Sequence, residues 1–194
     1  MLEILKKLSA DSRENFEAQY LLAELYYNQK KFEKSEKYFE NIRGRYGDIN
    51  KINNYLIEIY RNYAISEYPE NIESAANYFS KIIKIAPDDE HALFYLAKIS
   101  YIKKEYPEAL SYLKKISETS NYQREKMRLA ADIEFFYGNV KDAFSKYDEL
   151  IKNANIDNDT QIFFNYVECS EKLGKSDIAA NYQKILYSKF KDNN

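Results

Sequence analysis

Residues 138–150 read GNVKDAFSKYDEL, and residues 104–116 read KEYPEALSYLKKI. Laid over each other at a step of 34, they align Val140 with Tyr106, Ala143 with Ala109, Tyr147 with Leu113 and Leu150 with Ile116. A small residue, then large apolar groups four and seven positions later, is the stripe of a helix that packs one face closely on a neighbour. A further 34 residues back, Ala75, Phe79 and Ile82 occupy the same places. Forty residues before those, Phe32 leads Ser35, Phe39 and Ile42 through the pattern again. Gly174, Ala179, Gln183 and Leu186 repeat it near the end at a step of 36.

Each of these helices follows another. Leu21, Leu22, Ala23 and Tyr26 precede a turn at Gln29–Lys31, and Leu93, Leu96, Ala97 and Ser100 precede one at Lys103–Glu105. Met127, Ala130, Ala131 and Glu134 lead to Tyr137–Asn139, and Phe163, Tyr166, Val167 and Ser170 lead to Leu173–Lys175. The small residue of one helix sits against the other, where a bulky group would push the pair apart. The reading is a helix–turn–helix unit tiled along the chain, whose members must stack because no unit buries its apolar surface alone. Asn53–Ala64 is helical by pattern, with its inward face left open. The acids at Asp88–Glu90 and Asp157–Asp159 mark the starts of first helices, Pro107 sits early in a second helix, and Pro69 belongs to a loop.

This pattern resembles the tetratricopeptide repeat family. The first unit, from Phe16, matches through Leu22, Ala23, Tyr26, Phe32 and Phe39, with Ser35 in the small place. The second matches through Ala75, Phe79 and Ile82 and ends on Pro87. The third, from Glu90, matches at Leu96, Ala97, Tyr106 and Ala109, and the fourth, from Arg124, at Ala131, Gly138, Ala143 and Tyr147. The fifth, from Thr160, matches at Gly174, Ala179 and Leu186. The resemblance covers about residues 16–193 in units 16–55, 56–89, 90–123, 124–159 and 160–193, with an insertion of six residues around GRYGDIN and SEYPEN and one of two later. It implies an all-α fold, an α-solenoid wound as a right-handed superhelix of about five repeats. Residues 1–15 are expected to cap the array or to end a preceding repeat, with Leu2, Ile4, Leu5 and Leu8 on the covering face.

Composition agrees and narrows the function classes. The 194 residues are 45% hydrophobic with only four Gly and three Pro, too few special backbone positions for a sandwich, barrel or doubly wound sheet. A net charge of −2 and the lack of a basic track weigh against nucleic acid. No run approaches the roughly 20 apolar residues of a membrane span. The single cysteine, Cys169, reads as small buried filler, forms no internal disulfide and fits a reducing, cytoplasmic setting. With one histidine, no histidine-based metal cluster or proton relay can be assembled, so no enzyme, cofactor or metal is expected. The loop around Gly44 and Gly47 lacks the spacing of a phosphate site and reads as surface, where Arg43 and Arg45 can touch an acidic partner.

What remains is a binding surface. In the family that this chain resembles, first helices line a concave groove for a peptide or helix of a partner. Carried onto this sequence, the groove takes Tyr20, Glu24, Tyr27 and Asn28 from the first unit and Tyr60 and Tyr63 from the second. The third supplies His91, Phe94, Lys98, Tyr101 and Ile102; the fourth Arg128, Asp132, Phe135 and Phe136; the fifth Phe164, Glu168, Glu171 and Lys172. The family's Lys and Asn set for gripping a terminal carboxylate is absent, which favours an apolar or mixed-charge peptide. The expected function is a non-enzymatic scaffold for a protein or peptide. The alternative is an assembly module that stacks or self-associates through terminal helices, using Ile178, Tyr182, Ile185, Leu186 and Phe190.

Overall fold

The computed structural model describes residues 2–11, 15–45, 47–156 and 158–191, and its regular elements there are all helices. In chain order they are α1 (Leu2–Asp11), α2 (Phe16–Asn28), α3 (Phe32–Ile42), α4 (Ile49–Glu67), α5 (Ile72–Ile85) and α6 (Glu90–Ile102). α7 (Tyr106–Lys115), α8 (Gln123–Tyr137), α9 (Val140–Ile151), α10 (Thr160–Lys172) and α11 (Ser176–Lys191) follow. The chain forms two compact units, residues 1–92 and 93–194, divided inside α6.

Four of the turns are one device used repeatedly. Lys30, Lys104, Gly138 and Gly174 all have positive φ, at 57°, 63°, 95° and 70°. Around each, two amides reach back over the end of the first helix. Lys31 donates to the Tyr26 carbonyl at 2.9 Å, and Glu105 to Ser100, Asn139 to Glu134 and Lys175 to Ser170 at 2.8 Å each. One residue earlier, Lys30 donates to Tyr27, Lys104 to Tyr101, Gly138 to Phe135 and Gly174 to Glu171. This double closure satisfies carbonyls that the helix end leaves open and needs a left-handed residue. An added Cβ at Gly138 or Gly174 meets nothing within 4 Å, so glycine serves the backbone angle there and not a tight contact.

In the first unit, the turn brings α2 and α3 into an antiparallel pair. Ala23 and Ser35 meet in its interior, where the Ser35 hydroxyl donates to the Ala23 carbonyl at 2.8 Å. The small pair lets Leu22, Phe39 and Ile42 bury fully. α4 packs on α5 and on α3 and buries Ile52, Leu56, Ile59, Tyr60 and Ala64, which settles its inward face. α1 packs along α2 with Leu2 and Leu5 half-buried, whereas Ile4 points outwards instead of covering the edge; the Leu8 side chain lies outside the described residues.

α4 departs from the expected unit boundary. It begins at Ile49, not near residue 56, and its 19 residues exceed the 13 of α2 by the length of the insertion. No Gly or Pro interrupts residues 48–68, and the Asp48 side chain caps the start by accepting from the Lys51 amide at 3.0 Å. The extra residues therefore extend a helix instead of forming a loop.

In the second unit, α8 pairs with α9 and α10 with α11. Their core contains Ala131, Ala143, Tyr147, Leu150, Ile162, Phe163, Tyr166, Cys169, Ala179 and Leu186. Cys169 is fully buried, and burial pushes its thiol up to about 11. The turn geometry makes a direct prediction for α6–α7 and α8–α9. Lys104→Gly is expected to stabilise by about 0.5–1 kcal/mol, and Gly138→Ala to destabilise by about 1–2 kcal/mol. Urea unfolding of each variant measures both, and equal effects of one sign would refute the left-handed requirement.

Candidate functional site

The first unit turns most of its expected groove into packing. Tyr20 and Tyr60 are only 4% and 2% exposed, so neither is an open wall residue. Tyr20 lies edge-on to Phe39 at 5.9 Å, and Tyr60 stacks on Tyr78 at 6.3 Å and donates its hydroxyl to Glu40 at 2.6 Å. The physical reason is size: a ring next to a helix–helix seam gains more from burial than from exposure. Glu24 is engaged too, accepting from the Tyr55 hydroxyl at 2.8 Å and the Tyr20 hydroxyl at 3.5 Å. Tyr27 sits between Phe32 and Tyr55, and Tyr63 between Phe32 and Tyr78, with burial pushing the Tyr63 phenol up to about 12. Asn28 is exposed. His91 is half-buried with its ring 5.9 Å from Phe79; burial, then the Arg61 charge, holds its pKa below the usual histidine value. Asp89 caps α6 through the Ala92 amide at 2.8 Å and pairs with Arg61 at 2.7 Å.

The second unit leaves its wall open. Phe94, Lys98, Arg128 and Asp132, four of the expected residues, converge with Glu125 and Leu129 on a pocket of about 260 Å³ between α6 and α8. The Phe94 ring stacks on Tyr122 at 5.1 Å, and the Lys98 ammonium lies 5.8 Å from the centre of the same ring. Glu125 and Leu129 escape a position-by-position reading, although each lies one helical turn from an expected residue on α8.

Beyond the pocket, the ends of α6 and α8 carry a continuous aromatic edge. Tyr101 contacts Phe136 at 6.4 Å, Phe136 contacts Phe135 at 5.3 Å, and Tyr106 meets Tyr137 at 6.1 Å. Phe136 and Tyr137 are 58% and 56% exposed, and Ile102, next to Tyr101 in the chain, is also exposed. Lys172 places its ammonium 5.0 Å from the Phe135 ring and pairs with Glu168 at 2.7 Å. Glu171 accepts from Gln183, and Phe164 stacks on Phe190 at 6.0 Å.

Asp132 is the most constrained polar group of the wall. Its Oδ1 accepts from the Tyr147 hydroxyl at 2.6 Å and from Asn165 Nδ2 at 3.3 Å. Asn165 also donates to the Tyr147 oxygen at 2.9 Å and accepts from Gln161 at 2.8 Å. Burial pushes the Asp132 carboxyl above its ordinary value, and its hydrogen bonds and the Arg128 charge offset that only in part. The Tyr147 phenol is pushed up by burial and by Asp132. This network joins α8, α9 and α10, and neither Tyr147 nor Asn165 belongs to the expected groove. Among the described residues, no three His, Cys, Asp or Glu side chains gather to hold a metal ion, and no helix is long and apolar enough to cross a membrane.

Tetratricopeptide repeat family models match residues 17–48 and 70–122. The chain carries tetratricopeptide repeats over those residues. Solved structures of the same fold include MamA, with a TM-score of 0.58 at 13% identity over 89% of this chain and 96% of that one. The type IV pilus biogenesis factor PilW gives 0.57 at 19% over 96% and 83%. YrrB, described as a tetratricopeptide repeat protein with an unusual peptide-binding site, gives 0.58 at 13% over 94% and 90%. At such identities the likeness carries the fold, an all-α repeat solenoid of helix–turn–helix units. No curated protein matches the chain by sequence. Tetratricopeptide repeat proteins generally act as scaffolds for protein–protein interaction.

The raised carboxyl of Asp132 sets a pH dependence in this repeat protein. In the window between the ordinary carboxyl value and the higher folded one, the folded state binds more protons, so stability falls as pH rises. Asp132→Asn is expected to remove that slope and to equal or exceed the wild-type stability at neutral pH. Denaturant midpoints from about pH 4 to 7 measure it; a larger loss in the variant at neutral than at acid pH would reverse the sign.

Proposed function

We propose that this protein is a non-enzymatic scaffold that holds a peptide or helix of a partner protein on the first-helix wall of residues 93–194. The observation that carries the reading is the chain of ring contacts through Phe135, Phe136, Tyr101, Tyr106 and Tyr137, with Phe136 and Tyr137 exposed, one helical turn along α6 and α8 from the pocket residues Lys98 and Asp132. Exposed rings grouped in this way expose apolar area that folding left uncovered and that a partner can bury, and Tyr and Phe lose little side-chain entropy on doing so. The helix pairs are read as five repeats from Phe16 onwards, preceded by a capping segment. A protein partner suits the surface better than nucleic acid, because the chain carries a net charge of −2.

Peptides enriched from a random display library on the wild-type protein provide the test. Phe94→Ala and Phe136→Ala are each expected to weaken binding at least ~10-fold, whereas Tyr187→Ala leaves it unchanged. Both wall variants binding like wild type, while still folded by circular dichroism, would sink the proposal.

A second reading rests on a different observation. Tyr187, 69% exposed, and Phe190, stacked on Phe164, present an apolar face of α10 and α11 suited to self-association. Under that reading light scattering shows mass rising with concentration, and Tyr187→Glu returns it to the monomer value. A constant monomer mass in wild type rejects it.

A further inference from the structure

We propose that Arg61, Asp89 and His91 form an acid-sensitive latch, which fastens the first turn of α6 to α4 while His91 is neutral and releases it when His91 takes up a proton. The latch does not depend on what the wall of residues 93–194 binds. Asp89 makes the closed state. Its Oδ1 accepts from the Ala92 amide at 2.8 Å and caps α6, while its Oδ2 takes the Arg61 guanidinium of α4 at 2.7 Å. Arg61 also pairs with Glu58 on its own helix. Its buried Nε has no hydrogen-bond partner among the described residues, so its two Nη atoms carry the pairing. All four groups belong to the first unit, which ends at Ala92, so the latch closes on the helix that both units share.

Three features of its place set His91 against a proton. It is the second residue of α6, where the positive end of the helix dipole disfavours a cation. It is half-buried against Phe79 of α5, with the rings 5.9 Å apart, so charging it costs hydration. Arg61, fixed by Asp89, already supplies a positive charge. The carboxylates of Glu58 and Asp89 pull the other way, but Arg61 engages both, and Asp88 beside them lies in solvent. Burial and then the Arg61 charge prevail, and the fold favours the neutral ring. The latch is therefore fully closed above the ordinary histidine value of about 6.5 and weakens as pH falls through it towards the lower folded value. Opening moves the charged ring into water; Asp89 then leaves Arg61 and the Ala92 amide together, and the first turn of α6 unwinds. The sign is the reverse of that of Asp132, which lies in the second unit.

The chain has one histidine, so a single Cε1–H signal in a proton–carbon spectrum reports the latch alone. Its titration midpoint in wild type is expected below that of free histidine, and Arg61→Gln moves it upwards. Amide hydrogen exchange, corrected for the intrinsic pH dependence of the chemistry, reads the opening itself. Between about pH 7.5 and 5.5, a window around the histidine value, protection of the Ala92 and Phe94 amides is expected to fall at least ~3-fold relative to α2. The fall disappears in His91→Gln. Asp89→Asn keeps a capping oxygen but loses the ion pair, and it lowers that protection at both pH values.

A wild-type midpoint at or above that of free histidine overturns the latch, because Asp89 or Glu58 then holds the protonated ring in place. So does protection that stays level in wild type on acidification, or that falls equally in His91→Gln. Should His91→Gln fail to fold, Arg61→Gln decides: without the guanidinium charge the acid-induced fall shrinks, and an unchanged fall rejects the latch.

Discussion

The structure depends on reversing the chain in two or three residues without leaving helix-end carbonyls unsatisfied. A residue with positive φ does this at Lys30, Lys104, Gly138 and Gly174, with the same pair of backbone hydrogen bonds each time. So short a reversal forces the two helices into close antiparallel contact, and close contact demands a small residue at the crossing. Ser35, Ala109, Ala143 and Ala179 meet that demand, and the large residue one turn further buries in Phe39, Leu113 and Tyr147. α4 and α5 reach the same packing without the left-handed turn. There the Asn71 side chain caps α5 through the Ser74 amide, and Ala75 and Phe79 fill the interior.

The same arrangement decides where binding chemistry can appear. Ends of first helices carry residues that are neither inside the pair nor wholly in solvent, and their fate depends on what lies beside them. In the first unit, Tyr20, Tyr27 and Tyr63 meet Tyr55, Phe32 and Tyr78, and Glu24 is taken by tyrosine hydroxyls. In the second, Phe136 and Tyr137 project past the rings they touch, and Asp132 is held on one oxygen only. Equivalent places in the repeat thus become a packed aromatic seam, with Phe32 and Tyr63 at the edge of an open cleft, in one unit and a pocket with an exposed aromatic rim in the other.

The repeats were legible because packing repeats with the helical period, so the small-then-large spacing appears in the residues themselves. Helix starts at Phe16, Glu90 and Thr160 follow from it. α4 was not legible to the same degree. Without a Gly or Pro inside residues 48–68, nothing local says that six inserted residues continue a helix. Of the wall, Phe94, Lys98, Arg128 and Asp132 were legible by their place in the repeat, because position on a first helix fixes the direction of a side chain. Glu125 and Leu129 were not, since they complete the pocket from the neighbouring stripe of α8. The Tyr147–Asn165 clamp on Asp132 joins three helices, and no spacing in the chain encodes it.

Sequence alone determined the helical class, the helix–turn–helix repeat and the residues that meet at each crossing. Those follow from local spacing and from backbone needs expressed within a few positions of the chain. Tertiary structure decided which rings bury and which remain outside: Tyr60, the more polar of the two, is buried against Tyr78 and Glu40, whereas Phe136 stays exposed. It also decided that Asp132, among several carboxylates on first helices, is held by a tyrosine and an asparagine at the edge of an open pocket. Burial and hydrogen-bond partnership are properties of side chains brought together from distant positions, and only the folded chain assembles them.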